Sequence, residues 1–212
     1  MTKLLLAVAA MLAFPVAAHA QCATGYTQLS NVFACQSTGT AIFSVTNSHA
    51  EPGWQGQSER MPIPTALLTN PGFTIGKVRV SFTIASTTVG GSIDAAYVGT
   101  GIASPAYDFA ATPVQLTFNG GQTSVTGING AQTIVSDFVP FTFNFSTAVS
   151  LLVSTHYSGT HFDTGYSNPG GSGTYYWLGQ AVGTEAQTAP SGTWSSASAG
   201  YTSTIATVEV TP

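Results

Sequence analysis

Apolar and polar residues alternate along several stretches of this chain with a period of two, which is the pattern of half-buried β-strands. The clearest stretch is 77–85, whose apolar positions are Val78, Val80, Phe82 and Ile84. The same alternation occurs in residues 40–46, 92–98, 114–118, 139–145, 174–182 and 205–210. Residues 149–155 are apolar on both faces, so we place this strand in the middle of a sheet.

Turn residues separate these strands. Asn119-Gly120 and Asn129-Gly130 interrupt apolar runs where the backbone needs positive φ, and they predict hairpin turns. No amphipathic window of helix length occurs in the sequence. The pattern therefore predicts an all-β fold, namely an antiparallel β-sandwich of roughly eight to ten strands with a jelly-roll-like topology.

Residues 1–20 have the features of a secretory signal. A lone basic residue, Lys3, precedes an apolar run, and Ala18-His19-Ala20 is a small-x-small cleavage pattern. We therefore expect a secreted mature protein that forms a single sandwich domain over residues 21–212. Lipidation at Cys22 is the alternative, which is disfavoured because Gln21 precedes the cysteine.

The chain has two cysteines, Cys22 and Cys35, and both remain after removal of the signal. Because an exported chain meets oxidising conditions, we expect them to form a disulfide. Closing this short loop would contribute on the order of 3 kcal/mol to stability.

Charged residues make up only 6% of the chain, and the formal net charge is −4. Outside the signal the strong cations are Arg60, Lys77 and Arg79, too few to neutralise a phosphate backbone, so we expect no nucleic-acid partner. Beyond the signal no window is long and apolar enough to span a membrane. The abundance of Thr, Ser, Gly and Asn suits hydroxyl-rich sheet faces and equally suits the binding of neutral sugars.

Two polar segments with many turn-forming residues, 49–56 and 157–173, are predicted to be loops. Aromatic rings beside amide and hydroxyl groups are what stacking on a sugar requires, and Trp54 is expected to be exposed. The candidate ligand-binding residues in or next to these loops are Trp54, His161, Asp163, Tyr166, Asn168, Tyr175 and Trp177. The alternative is that most of the rings pack in the core.

No arrangement of residues predicts catalysis. Ser172 lies in a Gly-rich segment, but Thr174 interrupts the G-x-S-x-G pattern of a nucleophile elbow. A glycosidase would need a close pair of carboxylates, and the sequence does not place any two of the acidic residues together. The candidate acids are Glu51, Glu59, Asp163 and Glu185.

Metal binding has weak support. His156, His161 and Asp163 do not have the spacing of a compact metal motif. Calcium held by Asp163, Asn168 and loop carbonyls is the remaining cofactor hypothesis, although no Asp-x-Asp run accompanies it. We therefore expect neither a catalytic centre nor a required cofactor.

Four short motifs follow one another in residues 76–166: Val78-Arg79-Val80, Phe118-Asn119-Gly120-Gly121, Ser136-Asp137-Phe138-Val139 and Leu152-Val153-Ser154. In this order they resemble the accessory β-sandwich domain that precedes the catalytic domain in secreted bacterial SGNH/GDSL-type hydrolases. Ile84 and Phe138 depart from the Asn and Pro usual in that family. The Gly-Asp-Ser motif and the Asp-x-x-His pair of the hydrolase domain do not occur in this sequence. The resemblance therefore implies a bacterial accessory sandwich without the esterase.

These observations predict a secreted, non-catalytic β-sandwich protein that binds a carbohydrate or another cell-surface polymer through loop aromatics. The alternative is a structural or assembly protein of the cell envelope or extracellular matrix that self-associates through its sheet edges. An unrecognised hydrolase is the third hypothesis.

Overall fold

A computed structural model of the chain describes residues 26–28, 35–46, 49–51, 53–166, 176–178, 183–190, 194–196 and 204–212. The chain divides into two compact units, residues 1–38 and 39–212. In the first unit β1 (Tyr26–Gln28) pairs antiparallel with β2 (Cys35–Ser37). Residues 1–20 and Cys22 lie outside the described residues, so the signal and the disulfide stay predictions.

The second unit is an antiparallel β-sandwich, as predicted. Its strands are β3 (Thr40–Ser44), β4 (His49–Glu51), β5 (Gln57–Pro64), β6 (Lys77–Ile84), β7 (Val89–Gly101), β8 (Val114–Gln115), β9 (Val125–Ile128), β10 (Gln132–Val135), β11 (Val139–Pro140), β12 (Ser150–His161), β13 (Thr164–Tyr166), β14 (Tyr176–Leu178), β15 (Ser195–Ser196) and β16 (Ile205–Thr211). A short 3-10 helix, Thr65–Leu67, follows β5. None of the helices in the described ranges is long and apolar enough to cross a membrane.

The strands form two sheets of seven. The first has the order β3-β16-β6-β13-β4, with β10 and β11 also paired to β6, and the second has the order β15-β14-β5-β12-β7-β8, with β9 also paired to β7. The chain passes repeatedly from one sheet to the other, as in jelly rolls. The two sheets have more strands than the predicted eight to ten, because several strands of only two to four residues are too short to show an alternating pattern in the sequence.

The core lies between the two sheets, around β6 and β12. β6 has neighbours on both sides in the first sheet, and β12 lies between β5 and β7 in the second. The alternation predicted for β6 is confirmed, and the residues of its buried face are Val78, Val80, Phe82 and Ile84. From β12 they are met by Leu151, Val153 and Tyr157.

β5 is a strand that the hydrophobic pattern does not predict, because its sequence contains Glu59, Arg60 and two prolines. All residues from 58 to 63 are nevertheless buried. Met61 and Ile63 face the core between the sheets. Arg60, on the other face, lies beneath residues 183–190 and donates hydrogen bonds to their carbonyl oxygens. Because both faces are covered, polar side chains of this strand are buried as well.

β12 is longer than predicted. It begins at Ser150, leaves Val149 51% exposed and continues to His161, so the predicted loop over 157–173 is wrong for residues 157–161 and, because of β13, for 164–166. The extension pairs with β7 as far as Val89. Gly159 has φ of 111°, and a Cβ there would lie 2.2 Å from the carbonyl oxygen of Gly90. This glycine therefore permits a close approach of two strands and does not mark a loop.

The turn at Asn119-Gly120 is confirmed, with φ of 50° and 80° at these two residues. The Asp137 carboxylate holds it by accepting hydrogen bonds from the N–H groups of Gly120 (3.0 Å) and Gly121 (2.8 Å) and from the Thr117 hydroxyl (2.8 Å). Burial raises the pKa of Asp137, but these three hydrogen bonds outweigh the burial and lower it.

The turn at Asn129-Gly130 is not a hairpin. It joins β9 to β10, and these strands belong to different sheets. The prediction was wrong because an Asn-Gly pair specifies a local reversal and not the partner that each flanking strand finds.

Residues 139–145 keep the predicted alternation of burial but are mostly not a strand. Val139, Phe141 and Phe143 are buried, whereas only Val139–Pro140 pair as β11. Phe141 donates its N–H to the Gly76 carbonyl oxygen (2.9 Å), and residues 145–147 form a turn.

Candidate functional site

Trp54, predicted to be an exposed loop residue, is buried. Its side chain is 4% exposed and meets the Tyr157 ring edge-on, with ring centroids 5.8 Å apart and planes at 90°. The Trp54 N–H also donates to the Phe162 carbonyl oxygen (2.9 Å). The predicted exposure is therefore wrong, because the turn that carries Trp54 folds the ring into the end of the core.

His161 and Asp163, both predicted ligand contacts, lie against each other. The Asp163 carboxylate is 4% exposed and is 2.9 Å from Nε2 of His161, which is 43% exposed. Asp163 also accepts hydrogen bonds from the Gly53 N–H (3.2 Å) and the Thr87 hydroxyl. Both carboxylate oxygens therefore serve internal contacts that join two turns, and His161 is the member of the pair that reaches the surface.

The remaining predicted contacts are only partly described. Tyr166 pairs with His49 across β13 and β4, and Trp177 pairs with Glu59 and Ser195 in the second sheet. Asn168 and Tyr175 lie outside the described residues. The ligand roles of these four residues stay predictions. Within the described ranges, no group of three or more His, Cys, Asp and Glu residues could hold a metal ion.

The candidate acids Glu59 and Glu185 serve the interior of the fold. Glu59 accepts a hydrogen bond from the Tyr157 hydroxyl (2.7 Å) inside the sandwich. Glu185 accepts from the Ser58 hydroxyl (2.5 Å) and the Gly183 N–H (2.7 Å). Because neighbouring strand residues point to opposite faces, the side chains of Ser58 and Glu59 place these two carboxylates on opposite sides of the sheet. They do not form a glycosidase pair.

Arg60 lies at the centre of a buried polar cluster on that outer face. Its guanidinium is stacked over the Phe109 ring, 4.7 Å from the centroid, and lies 5.5 Å from the centroid of Trp194, which is 8% exposed. Burial lowers the pKa of Arg60 to about 10, and the negative charges of Asp108 and Glu185 partly oppose this shift. The cluster ties residues 183–190 to the sheet.

An exposed groove of about 650 Å³ combines aromatic rings with uncharged polar groups. Two chain segments, 70–74 and 142–146, form its walls. The lining residues are Asn70, Gly72, Phe73, Thr74, Thr142, Phe143, Asn144, Phe145 and Ser146. We call it the aromatic groove.

The floor of the aromatic groove is formed by phenylalanine rings that pack against one another. Phe143 is 6% exposed, and its ring meets that of Phe145 edge-on, with centroids 5.1 Å apart and planes at 82°. Phe143 also stacks with Phe141, with ring centroids 6.3 Å apart and ring planes at 23°. Phe73 and Phe145 are half-buried and pack against the core, so each ring presents part of its surface to solvent.

Two asparagines at the rim are held in fixed orientations. Oδ1 of Asn144 accepts the N–H (2.9 Å) and the hydroxyl (2.7 Å) of Ser146. Oδ1 of Asn70 accepts the Gly72 N–H (2.9 Å). Such Asx turns occupy the carboxamide oxygen. Because both asparagines are exposed, their Nδ2 groups remain as hydrogen-bond donors at the rim.

A second groove, of about 370 Å³, follows β3 and is lined by Ala41, Ile42, Phe43, Ser44, Val45, Leu67 and Thr69. Its one ring, Phe43, is 5% exposed and belongs to the core. This groove therefore offers an aliphatic surface and no ring face. Of the two, the aromatic groove is the one that combines partly exposed rings with amide and hydroxyl groups.

The sequence did not predict the aromatic groove, because the candidate ligand rings were those in or next to Gly-rich loops. The sequence does contain the local features of the groove, namely two places where an Asx-turn former lies within three residues of a phenylalanine. Asn70-Pro71-Gly72 precedes Phe73, and Asn144 lies between Phe143 and Phe145. What the sequence does not contain is the pairing of these two distant segments.

Searches of protein-family models and of curated proteins found no match to this chain. The likeness to the accessory sandwich of SGNH/GDSL-type hydrolases therefore rests on the four motifs quoted above. The observations that bear on function are those of the grooves and clusters themselves.

Proposed function

We propose that this protein is a secreted β-sandwich that binds a carbohydrate or another hydroxyl-rich cell-surface polymer in the aromatic groove. The observation that carries the proposal is the position of Phe73 and Phe145, whose partly exposed rings lie beside a rim of amide and hydroxyl groups. A pyranose ring has an apolar face that stacks on an aromatic ring and a polar edge that needs hydrogen bonds. The groove supplies both.

The site differs from the one expected from the sequence, which relied on Trp54, on residues of the 157–173 segment and on Tyr175 and Trp177. Trp54 is buried and Asp163 is engaged internally. His161 is exposed, so it can still take part in binding at a separate surface. The test below separates the two locations.

The proposal is tested by retention of the protein on insoluble polysaccharides and on a glycan array. Phe145→Ala and Phe73→Ala are expected to weaken retention about five- to thirtyfold, because loss of one stacking ring removes on the order of 1–2 kcal/mol of binding. Leu67→Ala is the matched control, since it truncates an exposed apolar side chain that lines the other groove. It is expected to leave retention unchanged.

Three results would count against the groove. Equal loss of retention in Leu67→Ala would indicate a nonspecific hydrophobic effect, and loss in His161→Ala with no effect of Phe145→Ala would move the site to the His161 surface. Absence of retention on every glycan, together with concentration-dependent oligomers in light scattering, would favour the assembly role.

A further inference from the structure

We infer that the aromatic groove, if it is the carbohydrate site proposed above, is specific for neutral glycan chains and reads them through the Nδ2 donors of Asn70 and Asn144. None of its nine lining residues, all of them described, is charged. The lining set consists of three phenylalanines, one glycine and five residues with an amide or a hydroxyl group.

An anionic glycan would find no counter-charge in this groove. Arg79 forms an ion pair with Glu209 (2.7 Å) and lies over the Phe138 ring, 4.5 Å from its centroid. Arg60 is fully buried. Lys77, the third strong cation, is exposed and pairs through its backbone with Pro140, but it is not one of the lining residues. A uronate or sulfate packed against the lining residues would therefore lose water from its charge without gaining a cation there, which is unfavourable.

The hydrogen-bonding capacity of the rim matches sugar hydroxyls. The hydroxyl of Ser146 donates to Asn144, so its oxygen faces solvent as an acceptor. The Nδ2 groups of Asn70 and Asn144 are donors, and their direction is fixed because their Oδ1 atoms close the two Asx turns. Hydroxyl groups both donate and accept, so a neutral sugar can use donors and acceptors together.

The two Asx turns allow substitutions that remove the Nδ2 donor and keep the hydrogen bonds of the turn. In Asn144→Asp and Asn70→Asp one carboxylate oxygen can still accept the turn hydrogen bonds, whereas the donor at the rim is replaced by a negative acceptor. The substitution therefore keeps the turn and changes the group at the rim from a hydrogen-bond donor to an acceptor. Gln122→Glu is the matched control, because it makes the same amide-to-carboxylate change at an exposed residue that does not line the groove.

Binding is measured by isothermal titration with the neutral probes cellohexaose, mannohexaose and xylohexaose and with the anionic probe hexagalacturonate. The wild-type protein is expected to bind at least one neutral probe and to bind hexagalacturonate at least tenfold more weakly. Asn144→Asp and Asn70→Asp are each expected to weaken neutral binding about tenfold with an unchanged melting temperature, because the hydrogen bond donated by Nδ2 to a sugar oxygen is lost. Gln122→Glu should bind as the wild type does.

Hexagalacturonate bound as tightly as the neutral probes would overturn the specificity and leave the carbohydrate site standing. Wild-type affinity in both Asn→Asp variants would likewise overturn the role of the Nδ2 donors. Absence of binding to all four probes and to the glycan array would instead refute the proposed function itself. The failures of the two proposals are therefore distinguishable.

Discussion

Arg60 offers the sharpest test of how this sandwich is held together. It is fully buried, and its two terminal nitrogens donate to the carbonyl oxygens of Tyr107 (2.8 Å), Thr184 (2.9 Å) and Gln187. Substitution by Met keeps much of the volume but removes the charge and these hydrogen bonds. Glu185 then loses its neighbouring cation within the same buried cluster.

Breaking a buried charged cluster by removal of one partner typically destabilises a protein by about 3–5 kcal/mol. For a domain of this size each kcal/mol lowers the melting temperature by about 2–4 °C. We therefore expect Arg60→Met to unfold about 6–20 °C below the wild type. Arg60→Lys keeps the positive charge and loses the planar fork, so its loss should be smaller.

The assay is thermal and urea unfolding followed by circular dichroism, combined with amide exchange. The Phe109 N–H is the local reporter, because it donates to the Thr188 carbonyl oxygen (2.9 Å) in the segment that Arg60 holds. Faster exchange at Phe109 in Arg60→Met is expected to accompany the global loss. A variant within 1 kcal/mol of the wild type with unchanged exchange at Phe109 would refute the reasoning.

Three further substitutions test other polar contacts. Asp137→Asn should reduce stability by about 1–2 kcal/mol at pH 7. Because folding lowers the pKa of Asp137, the carboxylate stabilises the fold at pH values above its unfolded-state pKa, and this stabilisation is lost as the pH falls through its folded-state pKa. The urea midpoints of the variant and the wild type should therefore converge in acid. Tyr157→Phe should cost about 1–3 kcal/mol because Glu59 loses a buried donor, and a double-mutant cycle with Thr204→Val, whose hydroxyl also donates to Glu59, should show coupling rather than additivity. Asp163→Asn should destabilise by about 1–3 kcal/mol in the same assay, whereas an unchanged midpoint would show that its contacts to the two turns are not needed.

Much of the fold could be predicted because strand periodicity is a local property. In β6 each apolar residue of the pattern is buried and each intervening residue except Ser81 is more exposed. The ends of β16 were likewise predicted to within one residue, at Ile205–Thr211. In a sheet with one covered face, buried and exposed residues alternate along each strand, so the sequence shows the burial directly.

The errors fall where burial depends on distant segments. β5 has Glu59 and Arg60 in its interior, and each is buried by a different distant segment. Glu59 lies between the sheets against Tyr157, whereas Arg60 is covered by residues 183–190 on the outer face of its sheet. Trp54 is surrounded by turn residues, yet its ring packs on Tyr157, about one hundred residues away, which no local pattern can indicate.

The aromatic groove was unpredictable for the same reason. Each wall alone resembles an ordinary turn with a phenylalanine, and only the fold places residues 70–74 beside 142–146. By contrast, the strand predicted over residues 174–182 is present as β14 around Trp177, whose ligand role stays a prediction.

The most direct test of the groove as a binding site is an NMR titration of the protein with the neutral hexasaccharide that binds best. We expect the side-chain amide signals of Asn70 and Asn144 and the ring signals of Phe73 and Phe145 to shift together and to saturate with one dissociation constant. Saturable shifts confined to His161 and its neighbours, with the Asn70 and Asn144 amide signals unmoved, would contradict this expectation.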